Sequence, residues 1–113
     1  MATEVIVTDE FHEWYASLGD QDSDAVYRVV GLLENLGPLL GYPHSSALRG
    51  SKHALRELRA QSGGRPLRIL YAFDPRRQAV LLLGGDKTGN DRFYEEMIPR
   101  AEALWSEYLS GSS

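Results

Sequence analysis

The chain has 113 residues, no cysteine, 42% hydrophobic residues and a formal net charge of −4. That length predicts one domain, residues 1–113, with a core large enough to fold without staples, and the absence of cysteine excludes disulfides and thiolate metal sites and fits a reducing interior. The acidic balance argues against a generic nucleic-acid binder. The opening MATEVIVTDEF, with Glu4 and no long apolar run, predicts neither a signal peptide nor a membrane span, hence a cytoplasmic protein with no membrane partner.

Glu4 to Val7 is rich in β-branched residues and predicts a short strand. Thr8 stands at an N-cap position, with Asp9 and Glu10 in the first turn of the helix that follows. Phe11, Trp14, Tyr15 and Leu18 recur on one helical face, and Gly19 ends that helix. Ser23 or Asp22 caps a second helix, where Val26, Val29, Val30, Leu33 and Leu36 repeat the period until Gly37-Pro38 stops it. The short link makes the pair an antiparallel hairpin.

Residues 38–53, with Pro38, Gly41, Pro43 and Gly50, predict an irregular loop. Three strands follow: Leu55 to Arg59, Pro66 to Phe73 and Ala79 to Leu83. Ser62-Gly63-Gly64 turns the first into the second, and Asp74-Pro75-Arg76-Arg77 suits a type I turn into the third. Gly84-Gly85 ends that strand. Asn90 or Asp91 caps a last helix with Phe93, Met97, Ala101, Leu104 and Tyr108 on its apolar face. Pro99 is expected to bend or divide it, and the tail Ser110-Gly111-Ser112-Ser113 to fray. The order β-α-α-β-β-β-α predicts an α+β fold: a small antiparallel β-sheet with the N-terminal helical hairpin and the C-terminal helix packed on it, covering one face.

Charge is distributed unevenly. Residues 1–48 hold one arginine and eight acids, whereas residues 49–92 hold ten Lys and Arg against four acids. This basic segment is either a solvated face or a concentrated anion site. Alternation along the middle strand turns Leu67, Ile69, Tyr71 and Phe73 toward the helices and Arg68 to the opposite side. Arg56 and Arg59, three apart on the preceding strand, need a bulge for both to converge with Arg68. Lys87 emerges after the last strand. Arginines and a lysine without an acid for each suit phosphate.

The stretch GGDKTGND, residues 84–91, invites two phosphate readings that fail. A nucleotide-binding loop needs glycine immediately before Lys-Thr within a βαβ unit, and Asp86 stands there instead, between tightly turned strands. The letters Asp-Lys-Thr-Gly resemble the phosphorylated site of P-type ATPases. That chemistry needs a parallel sheet, a metal and later carboxylates, yet a single helix follows. Two readings of Lys87 stay open, solvated or held beside a basic sheet. Asp86 either orients Lys87 or pairs with Arg92.

The order of elements, with LRELR (55–59), RPLRILYAFD (65–74), AVLLLGGDKTG (79–89) and RFYEEMIPRAEALW (92–105), resembles the RelE/ParE superfamily of toxins, and within it the HigB branch of phage-derived type II toxin–antitoxin pairs. The resemblance spans nearly the whole chain and is strongest over residues 55–105. It implies cleavage of messenger RNA in the ribosome by attack of a 2′-hydroxyl on the adjacent phosphate, with no metal and no cofactor. It also implies the ribosome, mRNA and a cognate helix-turn-helix, HigA-like antitoxin as partners. The acidic N-terminal hairpin is a candidate docking surface for the last.

By position the resemblance implies Arg68 as the phosphate-contacting arginine, with Lys87, Tyr94 and Arg59 as further catalytic groups. Arg49, Lys52, Arg56 and Arg92 are implied RNA or ribosome contacts. The paired lysines of the best-known RelE pattern are missing, and Leu55-Arg56-Glu57-Leu58 stands in their place. The general base is then Glu57 or His53, unless Glu57 serves only to pair an arginine. Histidine as a residue type can exchange a proton near neutral pH, but His53 lies in a loop. His12 and His44 read as structural or exposed, and Tyr71 as core. Two alternatives share the fold: a ParE-like toxin acting on gyrase, and a non-enzymatic binding module.

Overall fold

The structure, a computed structural model, describes residues 2–111. It contains β1 (Val5–Val7), α1 (Asp9–Ala16), α2 (Asp20–Leu36), a short 3₁₀ turn (Gly37–Leu39), β2 (Ser45–Ala47), β3 (Arg56–Ser62), β4 (Arg65–Phe73), β5 (Ala79–Asp86) and α3 (Phe93–Leu109). The strands form one sheet in the order β1-β5-β4-β3-β2. β1 runs parallel to β5 and every other pair is antiparallel. The α+β class and the meander follow the sequence expectation. The strand β2 does not, because residues 38–53 were expected to be irregular throughout. Ser45-Ser46-Ala47 has no β-branched residue and pairs only because β3 offers it an edge.

The helices cover both faces of the sheet rather than one. α1 and α2 enclose Leu58, Ala60, Leu67, Ile69, Tyr71 and Leu81 on one side. On the other, α3 buries Phe93, Met97, Ile98, Ala101 and Trp105 against Leu70, Ala72, Val80, Leu82 and Leu83. β4 is therefore apolar on both faces, and Arg68 interrupts the face beneath α3. Tyr71 is core, as expected, and shares a 2.6 Å hydrogen bond with Ser45.

Local signals hold in some places and fail in others. The Thr8 hydroxyl accepts from the Phe11 amide at 3.1 Å and so caps α1. α2 starts at Asp20 with Gly19 as its N-cap, so neither Ser23 nor Asp22 caps it. Ser23 donates back to the Asp20 carbonyl, while Asp22 accepts from Ser62 and Arg65. The β3–β4 hairpin turns on Gly63 and Gly64, both at positive φ (57° and 78°), a backbone that glycine adopts without strain.

β5 does not stop at Gly84-Gly85. It continues to Asp86, since Gly84 and Gly85 still pair with Ile69 and Arg68 of β4. A register shift leaves Leu82 as an extra residue, so Leu82 and Leu83 both face α3. The glycines serve packing here: a Cβ on Gly84 would collide with the Trp14 ring of α1, and one on Gly85 would press Phe93 and Met97 of α3.

Neither Asn90 nor Asp91 caps α3, whose N-cap position is Arg92 with no side-chain cap bond. Asn90 instead closes the preceding turn, its Oδ1 accepting from the Arg92 amide at 3.0 Å. α3 runs undivided through Pro99, which lies on the exposed side where the carbonyl it leaves unbonded can meet water. Of the tail expected to fray, Ser110 and Gly111 bond back to Ser106 and Tyr108, and Ser112 and Ser113 lie outside the described residues.

Candidate functional site

Glu57 lies at the centre of the basic segment. β3 alternates so that Leu58 and Ala60 enter the core under α1 and α2, while Glu57 and Arg59 face the α3 side. Glu57 is only 3% exposed. Its Oε1 accepts from the Tyr94 hydroxyl at 2.6 Å and lies 3.6 Å from Arg68 Nε. Its Oε2 accepts from Ser46 Oγ at 3.1 Å and from Arg59 Nη2 at 3.2 Å. A carboxylate this buried stays in place only when charge and hydrogen bonds offset its lost hydration.

Arg68 and Arg59 are directly opposite each other in the β3–β4 register. Two like charges at such a pair repel, and Glu57 bridges them. Arg68 is 9% exposed and its Nη1 donates to the Leu67 carbonyl. Among the described residues, Arg68 Nε is the buried side-chain polar atom that makes no hydrogen bond. Lys87 is fixed by its amide, which donates to the Pro66 carbonyl at 2.9 Å, and its Nζ sits 5.2 Å from the Tyr94 ring centroid. Burial, and then the bond to Glu57, push the Tyr94 hydroxyl above its ordinary value of 10.0, with Arg68 opposing. Tyr94 therefore stays protonated and remains a donor to Glu57. A shallow surface cavity opens over this group, bordered by Ser46, Arg49, Glu57, Arg59, Lys87 and Tyr94.

Arg59, Arg68, Lys87, Tyr94 and Glu57 thus meet in one place, with Arg49 at the rim. The other sequence candidates lie elsewhere. β3 has no bulge, so Arg56 points to the opposite face and donates to Ser45 Oγ at 3.2 Å. Lys52 and His53 belong to a loop tied to Glu102, whose Oε2 accepts from the Lys52 amide at 2.6 Å. Glu102 is two helical turns beyond Tyr94, about 12 Å along α3, so His53 stands apart from the Glu57 group. Arg92 is exposed and pairs with Glu95. Asp86 neither orients Lys87 nor pairs with Arg92. It accepts from the Thr88 hydroxyl and amide and from Arg65, contacts that hold its carboxyl below the usual range. Sequence reasoning missed Ser46, because the strand carrying it has no periodic signal. Among the described residues no group of His, Cys, Asp or Glu side chains is arranged to hold a metal ion, and no helix is long and apolar enough to cross a membrane.

A family model for the phage-derived Gp49-like proteins matches residues 13–106. The chain belongs to that family. This Gp49-like chain is 41% identical over 108 residues to a Mycobacterium tuberculosis protein named "Putative toxin HigB3", covering 94% of this chain and 93% of that one. It is 40% identical over 100 residues to "Putative toxin HigB2" of the same organism, where the match covers 86% of this chain but 50% of the relative. The Gp49-like chain thus spans half the length of one curated relative and nearly all of the other.

Solved structures show that this Gp49-like fold is that of RelE. A double-arginine mutant of E. coli RelE in the free state superposes with a TM-score of 0.63 at 14% identity, covering 88% of this chain and 98% of that one. The archaeal RelE–RelB complex from Pyrococcus horikoshii gives 0.57 at 18% identity, covering 79% and 99%.

Proposed function

We propose that this chain is a single-domain, cytoplasmic toxin of a type II toxin–antitoxin system that inhibits translation by cutting messenger RNA on the ribosome. The observation that carries this reading is the convergence of Arg68, Arg59 and Tyr94 on the buried carboxylate of Glu57, with Lys87 over the Tyr94 ring on the same cavity. The toxin relatives and the RelE fold support it.

In the free protein Glu57 occupies the position that a phosphate takes in the reaction. An incoming phosphodiester exchanges its oxygens for the carboxylate on Arg59 and Arg68, and the unbonded Arg68 Nε gains a partner. Glu57, released but still held by Tyr94, then takes the proton from the 2′-hydroxyl. The 2′-oxygen attacks phosphorus, Arg68 and Arg59 neutralise the charge that grows on the phosphate, and the 5′-oxygen leaves with a proton supplied by Lys87. The products are a 2′,3′-cyclic phosphate and a 5′-hydroxyl. Base and acid assistance contribute about 10²–10⁴ in rate, and fixed cations add more because they need no reorganisation. Glu57 is the better base candidate than His53, which lies apart from these cations.

A helix-turn-helix antitoxin of the HigA type is the proposed inhibitor, as the RelB partners of the RelE neighbours are for theirs. The test adds purified protein to a translation system and maps the message by primer extension. Breaks in ribosome-bound message, absent with Arg68→Ala or Lys87→Ala, support the nuclease. Intact message with gyrase-trapped DNA breaks would sink it in favour of a ParE-like toxin, and neither effect would leave a binding module.

A further inference from the structure

Tyr42 belongs to neither side of the apolar core. Its side chain is 79% exposed, and among the described residues its hydroxyl has no hydrogen-bond partner. The Tyr42 ring stacks with Arg59, whose Cζ lies 5.4 Å from the ring centroid. The same guanidinium holds Glu57 at 3.2 Å. Arg59 therefore joins an exposed aromatic ring directly to the cation group described above. One face of the ring takes the guanidinium, and the exposure leaves the other open to solvent.

We propose that Tyr42, stacked on Arg59, is a platform for an unstacked RNA base beside the scissile phosphate. The inference rests on the RNA-cleaving reading of the Glu57 site and adds to it a base-binding subsite. Cations bind any phosphate backbone, but they do not position a particular nucleotide. Proteins that bind single-stranded RNA do so by stacking splayed bases on aromatic rings and arginine planes. With a net charge of −4 the protein as a whole does not attract RNA, so local contacts at the basic segment matter more for its grip. The site supplies two. Lys87 lies over Tyr94, which bonds Glu57 Oε1, and Arg59, which pairs with Glu57 Oε2, lies over Tyr42. The Tyr94 ring has Lys87 over it and Phe93 packed against it edge-on, whereas the exposed Tyr42 ring keeps a face open.

The experiment measures binding to ribosomes carrying a message made uncleavable by a 2′-deoxy substitution, with cleavage of the ordinary message assayed in parallel. Wild type, Tyr42→Ala and Tyr42→Phe are each tested on an intact codon and on codons with one abasic nucleotide. Tyr42→Ala is expected to weaken binding about tenfold or more, and Tyr42→Phe to leave it near wild type. Removing one particular base should weaken wild type by the same factor and Tyr42→Ala no further. The proposal is overturned if Tyr42→Ala binds like wild type, if the hydroxyl rather than the ring proves necessary, or if the loss persists whichever base is missing. Loss of affinity for a neighbouring-gene antitoxin alone would make Tyr42 a protein contact and overturn it too. A wild-type protein that neither binds nor cuts overturns the nuclease reading along with this one, whereas an active wild type with an indifferent Tyr42 overturns only this one.

Discussion

The Tyr94 hydroxyl of α3 donates to Glu57 of β3 at 2.6 Å, closing a bond between residues 37 positions apart in the chain. It fixes the helix over the sheet and sets the orientation of the carboxylate that faces Arg59 and Arg68. Tyr94→Phe keeps the ring over which Lys87 lies but removes that bond. Cleavage of ribosome-bound message is expected to fall about 10²-fold, with circular dichroism unchanged. Because the folded-state pKa of Tyr94 is raised, the stability that this group adds is fully present below pH 10.0 and is lost as pH climbs through the folded value. Urea melts of wild type and Tyr94→Phe should therefore differ by a constant amount from pH 6 to 9.

Glu57→Gln removes the charge that separates two opposed arginines. Breaking one side of a buried pair costs about 3–5 kcal/mol, so the urea midpoint should drop clearly. Cleavage should fall by about 10²–10⁴ in conditions where the variant is still folded. Message binding at low salt should strengthen, because the guanidiniums no longer have an internal competitor for phosphate. A variant that cuts at the wild-type rate would rule Glu57 out as the base.

Gly84→Ala places a methyl group where the Trp14 ring already sits. The expected loss is about 1–3 kcal/mol, read as a lower thermal midpoint. Gly31→Ala, within α2 and with no atom near the added methyl, should raise stability by about 0.5–1 kcal/mol. Together they separate a packing glycine from one that is merely tolerated.

Asp74 supplies an acid-sensitive element remote from the candidate site. Burial by itself would raise its pKa, but the Tyr108 hydroxyl and the Gln78 and Arg76 amides outweigh that and hold it below 3.8. A lowered carboxylate stabilises the fold above the unfolded value and stops doing so as pH falls through the folded one. Tyr108→Phe should cost about 1.5–3 kcal/mol at pH 7 by urea denaturation, and the difference from wild type should shrink below pH 4.

Periodicity and turn chemistry alone determined the meander, both N-terminal helices, the Thr8 cap and Phe93, Met97 and Ala101 of the α3 face, because each is a local pattern read within one or two turns of chain, but missed Ile98 and Trp105, which α3 also buries. Charge distribution pointed to residues 49–92, and the family resemblance pointed within them to Arg68, Lys87, Tyr94 and Arg59. Strand register alone separated Arg56 from Arg59, since a three-residue spacing on an unbulged strand sends the two to opposite faces. Only the packed molecule brought Glu57 between its arginines, with Ser46 and Tyr94 supplied by elements on either side in the chain. It also put α3 on the face that Arg68 occupies, which turned an arginine expected on an open surface into a buried one. No local pattern carries that information: where a helix docks depends on matching apolar area from distant segments, and the polar groups trapped beneath it are then satisfied by whatever neighbours the docking brings.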